Sequence, residues 1–254
     1  MNSTMTHRRV LVTGGASGIG LAVANAFLDE GAQVGIISRT RSSIDRALGG
    51  PLADYLDRVH WAVADVAEEA AVQAAVEELA VALGGIDTAV AAAGTDGEMG
   101  ASISDVTSAG FRAVLEVNVL GVFHTIKHAL PFLAEAEHAS VTLIGSDSGF
   151  VTTPGMLAYN ASKGALVQLT RALSFELYEA HGIRVNSVCP SIVDTPMARR
   201  GLAVENFEGA PYPVQAAQDV AHSVLYLASE RSTAINGVNL LSDFGYSVRS
   251  SFPA

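Results

Sequence analysis

The sequence carries a tyrosine and a lysine at a spacing that suits proton transfer: Tyr159 and Lys163, in the segment YNASK. The chain has only two lysines, Lys127 and Lys163. On an α-helix, positions i and i+4 lie on the same face, so the phenol and the ammonium would share one space. A nearby ammonium favours the phenolate, so we expect the pair to lower the tyrosine pKa from its usual value of about 10. Such a phenol can give a proton to a carbonyl oxygen or take one from an alcohol.

The elements that must position this pair alternate along the chain. Short β-branched runs are typical of buried strands, and the longer amphipathic or alanine-rich segments between them are typical of helices. The strand candidates are RVLVTG, AQVGIIS, VHWAVAD, DTAVAAAG, SVTLIGS, IRVNSVCP and GVNLLSD, and the helix candidates span about 18–30, 68–83, 111–133, 159–181 and 217–229. This alternation predicts an α/β fold with a doubly wound parallel sheet. Ligands bind such sheets beyond the carboxyl ends of the strands.

Length and composition suit one domain with a large core. The 254 residues are 49% apolar and 16% charged, and no linker-like stretch divides them, which predicts a single domain over 1–254. The net charge of −11 and the lack of a basic cluster predict no nucleic-acid partner and no anionic membrane surface. The segment MNSTMTHRRV lacks an apolar signal core, and Cys189 is the single cysteine, so we expect a cytoplasmic protein with a reduced thiol.

A glycine-rich loop, TGGASGIG, follows the first strand at residues 13–20. Gly14, Gly18 and Gly20 permit a tight turn, and a helix that opens there offers free N–H groups and a positive dipole end to a pyrophosphate. The spacing G-x-x-x-G-x-G differs from the usual dinucleotide fingerprint G-x-G-x-x-G. A tight strand-to-helix turn without a ligand is the alternative interpretation.

The ends of the second and third strands bear on the identity of the dinucleotide. An acid at the second strand end bonds a ribose 2′-hydroxyl, whereas arginine accommodates a 2′-phosphate. Ser38 holds that position and Arg39 and Arg41 follow, which favours NADP over NAD, unless both arginines are simply solvated. After the third strand, Asp65 and Val66 are placed near an adenine, although Asp65 could instead cap the helix near 68.

Several motifs stand in order along the chain: TGGASGIG, NVLG at 118–121, Ser146, YNASK and PSIVDTP. As a set they resemble the short-chain dehydrogenase/reductase family over about residues 8–245. The resemblance implies a Rossmann-like three-layer α/β/α sandwich with a mostly parallel seven-stranded sheet. It also implies an NAD(P)-dependent enzyme that transfers a hydride between the nicotinamide and a carbonyl or secondary alcohol. The implied catalytic tetrad is Asn118, Ser146, Tyr159 and Lys163.

The family assigns each tetrad member a role. Tyr159 is the acid and base, and Lys163 together with an oxidised nicotinamide lowers its pKa. Ser146 donates a hydrogen bond to the substrate oxygen, Lys163 could also hold the ribose hydroxyls, and Asn118 supports a water that links Lys163 to solvent. The cofactor positions that match the family are Gly14, Ser17, Gly18, Ile19, Gly20, Asp65, Gly94, Tyr159, Lys163, Ile192, Val193 and Thr195, to which Ser38, Arg39 and Val66 are added. The chain departs from the family at 91–94, AAAG in place of Asn-Asn-Ala-Gly, and at Pro190-Ser191 in place of Pro-Gly.

The resemblance places the substrate pocket in loops at about 95–105, 147–157 and 196–212, the last within a region inserted at about 190–215. Their mostly apolar side chains favour a hydrophobic ketone or alcohol. These side chains are Met99, Phe150, Val151, Met156, Leu157, Met197, Leu202, Phe207 and Tyr212. The predicted substrate contacts are Ser146, Phe150, Tyr159 and Met197. Asp147 could contact a polar substrate or be a solvated loop carboxylate, and Arg199 and Arg200 could meet a substrate anion or the cofactor phosphates.

No metal site is predicted, since His124 and His128 lack a third ligand at a fitting spacing. Helices 111–133 and 159–181 are apolar on more than one face, which predicts a homotetramer or homodimer. The segment DFGYSVRSSFPA could cross that interface or close the pocket. Two other functions stay open at this point: a catalytically idle nucleotide-binding regulatory protein on the same fold, and a methyltransferase with a glycine-rich loop.

Overall fold

The structure is a computed structural model that describes residues 5–249. Seven strands form one sheet in the order β3-β2-β1-β4-β5-β6-β9, and each neighbouring pair is parallel. The order reverses between β1 and β4, the switch point where such sheets bind ligands. The strands are β1 Arg9–Thr13, β2 Gln33–Ser38, β3 Val59–Val63, β4 Thr88–Ala91, β5 Ser140–Ile144, β6 Arg184–Pro190 and β9 Asn239–Ser242, and a separate parallel pair is formed by β7 Val193–Asp194 and β8 Gln215–Ala216.

Helices cover both faces of the sheet. They are α1 Gly18–Asp29, α2 Arg41–Leu48, α3 Glu69–Leu83, α4 Ser108–Leu115, α5 Gly121–Leu133, α6 Leu157–His181, α7 Pro196–Gly201 and α8 Ala217–Ala228. Successive strand residues point to opposite faces, and the core therefore divides into two clusters. Val10 and Val12 pack with Phe27 of α1 on one face, and Leu11 packs with Leu79 of α3 on the other. The predicted three-layer α/β/α sandwich is confirmed, with a sheet that is parallel throughout.

Four local features differ from the sequence prediction. Helices α2, which begins at Arg41, and α7 lie in stretches for which no helix was predicted. A π-helical turn, Glu116–Leu120, joins α4 to α5. The capping role considered for Asp65 is wrong, because α3 begins after Glu68 and the Asp65 carboxylate accepts a hydrogen bond from Ala67 N at 3.0 Å.

Among residues 5–249, one helical segment, Ser108–Leu133, is long and apolar enough to cross a membrane by length and composition. Its inner face, however, belongs to the domain core. Val122, Ile126 and Leu133 are buried in the same cluster as the residues of α3. Core helices of large α/β domains satisfy the same composition criterion, because one side of each helix covers the sheet.

The turn between β1 and α1 requires glycine at two positions. Gly14 has φ +70°, and a Cβ there would lie 2.9 Å from the Ala93 backbone. A Cβ on Gly20 would lie 2.4 Å from the Gly14 carbonyl oxygen. The Gly14 N–H donates to Ile37 O at 2.8 Å, which ties the turn to β2. The amino end of α1 is thereby held at the carboxyl edge of the sheet, beside β4.

Replacing Gly20 with alanine is expected to lower the thermal midpoint, because the new methyl group overlaps backbone that cannot retreat. Overpacking of this kind costs about 1–3 kcal/mol. Gly164→Ala is the matched control, since a Cβ at that helical position meets no atom within 4 Å. The control should hold or raise the midpoint, as alanine is favoured over glycine in helices by roughly 0.5–1 kcal/mol. Equal midpoints for the two variants in thermal circular dichroism would contradict this account.

Candidate active site

A cleft of about 440 Å³ lies at the carboxyl edge of the sheet. It collects side chains from the loops after β4, β5 and β6, because the carboxyl ends of parallel strands meet at one edge. Three members of the predicted tetrad line it, Ser146, Tyr159 and Lys163. The predicted cofactor and substrate positions that line it are Ile19, Gly94, Ile192, Val193, Thr195 and Met197.

Tyr159 and Lys163 share the cleft face of α6, as their spacing predicts. The Lys163 Nζ lies 5.5 Å from the centroid of the Tyr159 ring. The same Nζ donates to Ile144 O at 2.9 Å, at the carboxyl end of β5. Lys163 is only 6% exposed, so its ammonium sits in a nearly dry position, held by a backbone carbonyl.

The expected lowering of the Tyr159 pKa does not occur in the protein alone. Loss of hydration is the largest influence and raises the pKa of Tyr159 to about 12. A hydrogen bond with Ser146 opposes the rise, while the carboxylates of Asp147 and Asp96 add to it. Burial also lowers the pKa of Lys163 to about 8, so its ammonium still carries the charge at neutral pH. Desolvation is therefore the dominant influence on Tyr159, and the protonated phenol, the proton donor, is the favoured form.

Ser146 is fixed at the end of β5 by its neighbours. It caps a short 3₁₀ turn, Asp147–Gly149, and its Oγ accepts a hydrogen bond from Ser148 N at 3.1 Å. Its hydroxyl proton is donated to Asp147 Oδ1 at 3.0 Å. The serine side chain is thus held over the cleft beside Tyr159 before any substrate contact is made.

Asn118 lies in the π-helical turn and acts as a clamp. Its Oδ1 accepts from Thr95 N at 2.8 Å, and its Nδ2 donates to Thr95 O and to Ser162 Oγ, both at 2.9 Å. These bonds join the loop after β4 to helix α6. Because they occupy both amide hydrogens, the side chain has a positioning role here, and the water link to Lys163 stays a prediction.

The two departures from the family pattern have local replacements. Near the alanines at 91–94, Thr13 Oγ1 accepts from Ala93 N at 3.4 Å, and the Asn118 clamp secures the following residue. After Pro190, the Ser191 N–H donates to Ser242 O at 3.1 Å. The chain then pairs as β7 with β8, so backbone hydrogen bonds fix the path of this loop.

The residues of the glycine turn fit a dinucleotide. Ser17 precedes α1 without a side-chain cap, which leaves the first N–H groups of the helix free for phosphate oxygens. Gly18 has φ +52°, and a Cβ there would lie 3.5 Å from the Thr195 side chain. The turn and the loop after β6 therefore face each other across a gap that larger side chains would narrow. Gly14 to Gly20 would hold the pyrophosphate, with the nicotinamide end beside Tyr159 and Val193.

Arg39 and Arg41, at the predicted adenosine end of the cofactor site, differ in their contacts. Arg41 pairs with Asp45 at 2.6 Å and stacks over the Trp61 ring at 4.1 Å. Arg39 is exposed, and within residues 5–249 it has no ion-pair partner. Ser38 Oγ accepts from Ala16 N at 3.2 Å, so this serine belongs to the glycine turn.

On the side of the third strand, Val66 is held by a helix. Its carbonyl lies 3.0 Å from His124 Nδ1 on α5, which fixes the loop that begins at Asp65. His128 Nε2 and Lys127 Nζ lie 3.2 and 2.7 Å from Glu69 Oε1. These histidines therefore take part in tertiary hydrogen bonding, and no group of three or more His, Cys, Asp or Glu in the described part of the chain is placed to hold a metal.

The structure corrects part of the predicted substrate wall. Phe150 is 42% exposed and does not line the cleft, because the 3₁₀ turn carries the chain past it and brings Val151 to the cleft instead. Leu157 and Phe207 also lie outside the lining. Arg199 pairs with Asp194 at 2.6 Å, so its charge is already engaged.

Sequence reasoning missed five charged or aromatic residues of the cleft: Asp96, Asp243, Phe244, Tyr246 and Arg249. Asp96 comes two residues after Gly94, so its place just beyond β4 was a usable signal. The other four come from DFGYSVRSSFPA, which does contribute to the cleft through residues 243–249. The predicted closure or crossing by 250–254 lies outside the described residues.

A dinucleotide cradle next to a tyrosine–lysine pair that lines the cleft defines the class of a nicotinamide-dependent oxidoreductase. Comparisons with known proteins agree. A family model described as Enoyl-(Acyl carrier protein) reductase matches residues 14–247. The chain is 34% identical to 2-(R)-hydroxypropyl-CoM dehydrogenase of Xanthobacter autotrophicus (94% and 98% of the two chains covered) and 34% identical to (+)-borneol dehydrogenase 1 of Salvia officinalis (94% and 93%). A solved structure of levodione reductase superposes with a TM-score of 0.88 at 29% identity (96% and 99% covered).

The chain therefore belongs to the short-chain dehydrogenase/reductase family, and the resemblance drawn from its motifs is confirmed. It is an NAD(P)-dependent oxidoreductase that acts on alcohols or ketones. The catalytically idle alternative is not favoured.

Replacing Lys163 with methionine is expected to stabilise the fold at pH 7 while it abolishes activity. The folded-state pKa of about 8 lies below the ordinary 10.5, so burying the ammonium costs stability below pH 8. Because a tenfold change in proton affinity is worth about 1.4 kcal/mol, the burial costs roughly 3 kcal/mol. As pH rises from 8 to 10.5, this cost to the wild type disappears and the advantage of the variant should shrink. Melting curves across this pH range test it, and a variant less stable than wild type at pH 7 would contradict it.

Proposed function

We propose that the protein is an NADP(H)-preferring carbonyl reductase or alcohol dehydrogenase in which Tyr159 exchanges the proton with the substrate oxygen. The supporting observation is the meeting of Tyr159, Ser146 and Lys163 in one cleft beside the glycine turn. The two relatives above are named as dehydrogenases and the structural neighbour as a reductase, in line with this chemistry.

The nicotinamide, when bound, supplies or accepts the hydride at the reacting carbon. In reduction, the Ser146 hydroxyl turns from Asp147 Oδ1 to donate to the carbonyl oxygen, and Tyr159 transfers its proton to that oxygen as the carbon gains the hydride. The product is the alcohol, and the tyrosinate left behind is reprotonated from solvent. Lys163, held by Ile144 O, places positive charge near the ring while the tyrosinate exists. Oxidation runs the same transfers in reverse.

Replacing Tyr159 with phenylalanine removes the proton donor and leaves the ring in place. Reduction of a good ketone substrate should fall by about 100-fold or more, the usual worth of a positioned acid. In wild type, a pKa of about 12 predicts a reduction rate that is flat through neutral pH, since the phenol stays protonated. Initial rates and pH profiles test both points, with cofactor binding as the check on folding. Activity within tenfold of wild type would show that another group delivers the proton.

The preference for NADP rests on Arg39. Its guanidinium is exposed at the end of β2 without an ion-pair partner among the described residues, so it is free to meet a 2′-phosphate. Arg41 is engaged by Asp45 and Trp61 and contributes little to such a contact. No carboxylate follows Ser38 directly to bind a 2′-hydroxyl in competition.

Arg39→Gln is expected to raise the KM for NADPH by about tenfold and to change the KM for NADH little, because only the former carries the 2′-phosphate. Arg41→Gln is the matched control and should affect both cofactors by less than about threefold. Steady-state kinetics with both cofactors measure the ratio. A wild-type enzyme that uses NADH as well as NADPH would remove Arg39 from this role.

The cleft wall favours a substrate with an apolar part. Its apolar lining consists of Met99, Val151, Met156, Met197, Leu202 and Tyr212. A homotetramer or homodimer is supported by large apolar side chains left exposed on two helices, among them Phe123 (42% exposed) near the start of α5 and Phe175 (73%) on α6.

A cytoplasmic location is proposed because the single cysteine, Cys189, is buried and not part of a disulfide.

A further inference from the structure

We propose that Asp147 and Asp96 determine substrate specificity: they select ketones that carry a hydroxyl group next to the reacting carbonyl and reject ketones that carry an anionic group there. The inference rests on the proposed function, because it names the substrate of the same cleft. It departs from a purely hydrophobic pocket, since two carboxylates stand beside the reacting groups.

Asp147 is a buried residue, and one of its two carboxylate oxygens accepts no hydrogen bond from the described residues. It follows Ser146 directly and is only 8% exposed, so it is not the solvated loop residue that the sequence allowed. Its Oδ1 accepts the Ser146 hydroxyl at 3.0 Å. Its Oδ2 has no hydrogen-bond partner among residues 5–249, and the residue lines the cleft. This oxygen can accept a hydrogen bond from a substrate hydroxyl, whereas an alkyl group in the same place would displace its water without replacing the hydrogen bond, so the hydroxyl is favoured.

Asp96 meets the same cleft from the loop after β4. The preceding residue, Thr95, is clamped at both its N–H and its carbonyl by Asn118, so the position of Asp96 is well defined. Its Oδ2 lies 3.3 Å from where a Cβ on Gly201 would stand, which places the carboxylate against the end of α7. No hydrogen bond or ion pair engages this carboxylate within the described residues.

Both carboxylates line the same cleft as the reacting phenol, and Asp147 is joined to Ser146 by a hydrogen bond. Each raises the pKa of Tyr159 through its charge, Asp147 more than Asp96. A substrate substituent next to the carbonyl that hydrogen-bonds Tyr159 would therefore lie within the field of both. A hydroxyl in that field gains an acceptor, whereas a carboxylate, phosphate or sulfonate is repelled.

The charged side chains that line the cleft leave it net negative, because the three carboxylates of Asp96, Asp147 and Asp243 outnumber the cations of Lys163 and Arg249. Asp243 is occupied by the backbone N–H groups of Gly245 and Ser247 at 2.9 and 2.8 Å. Lys163 donates to a backbone carbonyl, and Arg249 lies exposed over the Tyr246 ring at 5.7 Å. The net charge of −11 over the whole chain adds a long-range repulsion of anions.

The test uses three ketones that share a pentyl chain and differ in the second substituent: hydroxymethyl, ethyl or carboxymethyl. For wild type with NADPH, kcat/KM should be about tenfold higher for the hydroxymethyl than for the ethyl ketone, as one hydrogen bond to a buried charged group allows. The kcat/KM for the carboxymethyl ketone should be about 100-fold lower than that for the hydroxymethyl ketone, and most of the difference should lie in KM.

Asp147→Asn and Asp96→Asn keep the side-chain shape and remove one charge each. In each variant, the ratio of kcat/KM for the hydroxymethyl ketone to kcat/KM for the carboxymethyl ketone should fall by about tenfold, and in the double variant it should fall further. The change should appear mainly in KM. Glu98→Gln, two residues beyond Asp96 on the exposed part of the same loop, is the charge-matched control and should leave the ratio unchanged. Thermal midpoints check folding, and if Asp147→Asn unfolds, Asp96→Asn decides the question because its side chain is half-buried.

The possible outcomes distinguish failure of the specificity role from failure of the proposed function. Equal turnover of all three ketones by wild type, or variants that slow all three equally, would overturn the specificity role and leave ketone reduction standing. No turnover of any ketone with either cofactor would overturn the proposed function, and the specificity role with it. Faster turnover of the ethyl ketone than of the hydroxymethyl ketone would show that the cleft is apolar at this place after all.

Discussion

The withdrawal of Tyr159 and Lys163 from water is the constraint on which the site depends. Desolvation moves the pKa of the phenol up to about 12 and that of the ammonium down to about 8, so both groups are pushed towards their neutral forms. Low hydration of these groups strengthens the electrostatic interactions of any charge that later forms beside them, whether on a substrate oxygen or on the tyrosinate. Burial of the Lys163 ammonium lowers the stability of the folded protein. The hydrogen bond from Lys163 to the backbone carbonyl of Ile144 holds the side chain in place.

The rest of the architecture keeps these groups together. β5 ends at Ile144, two residues before Ser146, and α6 carries Tyr159 and Lys163 back across the same strand end. Asn118 then ties the loop after β4 to α6 through three hydrogen bonds. The loops can meet at one site because the strands are parallel, so that their carboxyl ends all lie at the same edge of the sheet.

Much of this could be predicted from the sequence because periodicity and spacing are local. All the predicted strands of the main sheet are present, and the i, i+4 spacing brought Tyr159 and Lys163 to one face as expected. The direction in which the Tyr159 pKa moves could not be predicted, since it depends on burial, which the spacing of two residues does not reveal. Phe150 was misplaced for a similar reason: a 3₁₀ turn of three residues decides which neighbour faces the cleft. Asp96 and Arg249 were missed because their loops meet only in the folded chain.

The edge position of β9 has a consequence for how the protein is made. β6 is buried along all seven of its residues, and its outer neighbour, Asn239–Ser242, is synthesised about fifty residues later. Until that last strand emerges from the ribosome, β6 is an open sheet edge whose unpaired backbone groups can pair with another chain. Translation pauses or premature termination before residue 239 should therefore yield aggregation-prone fragments, which makes the closing strand a protection of the nascent chain as well as a part of the sheet.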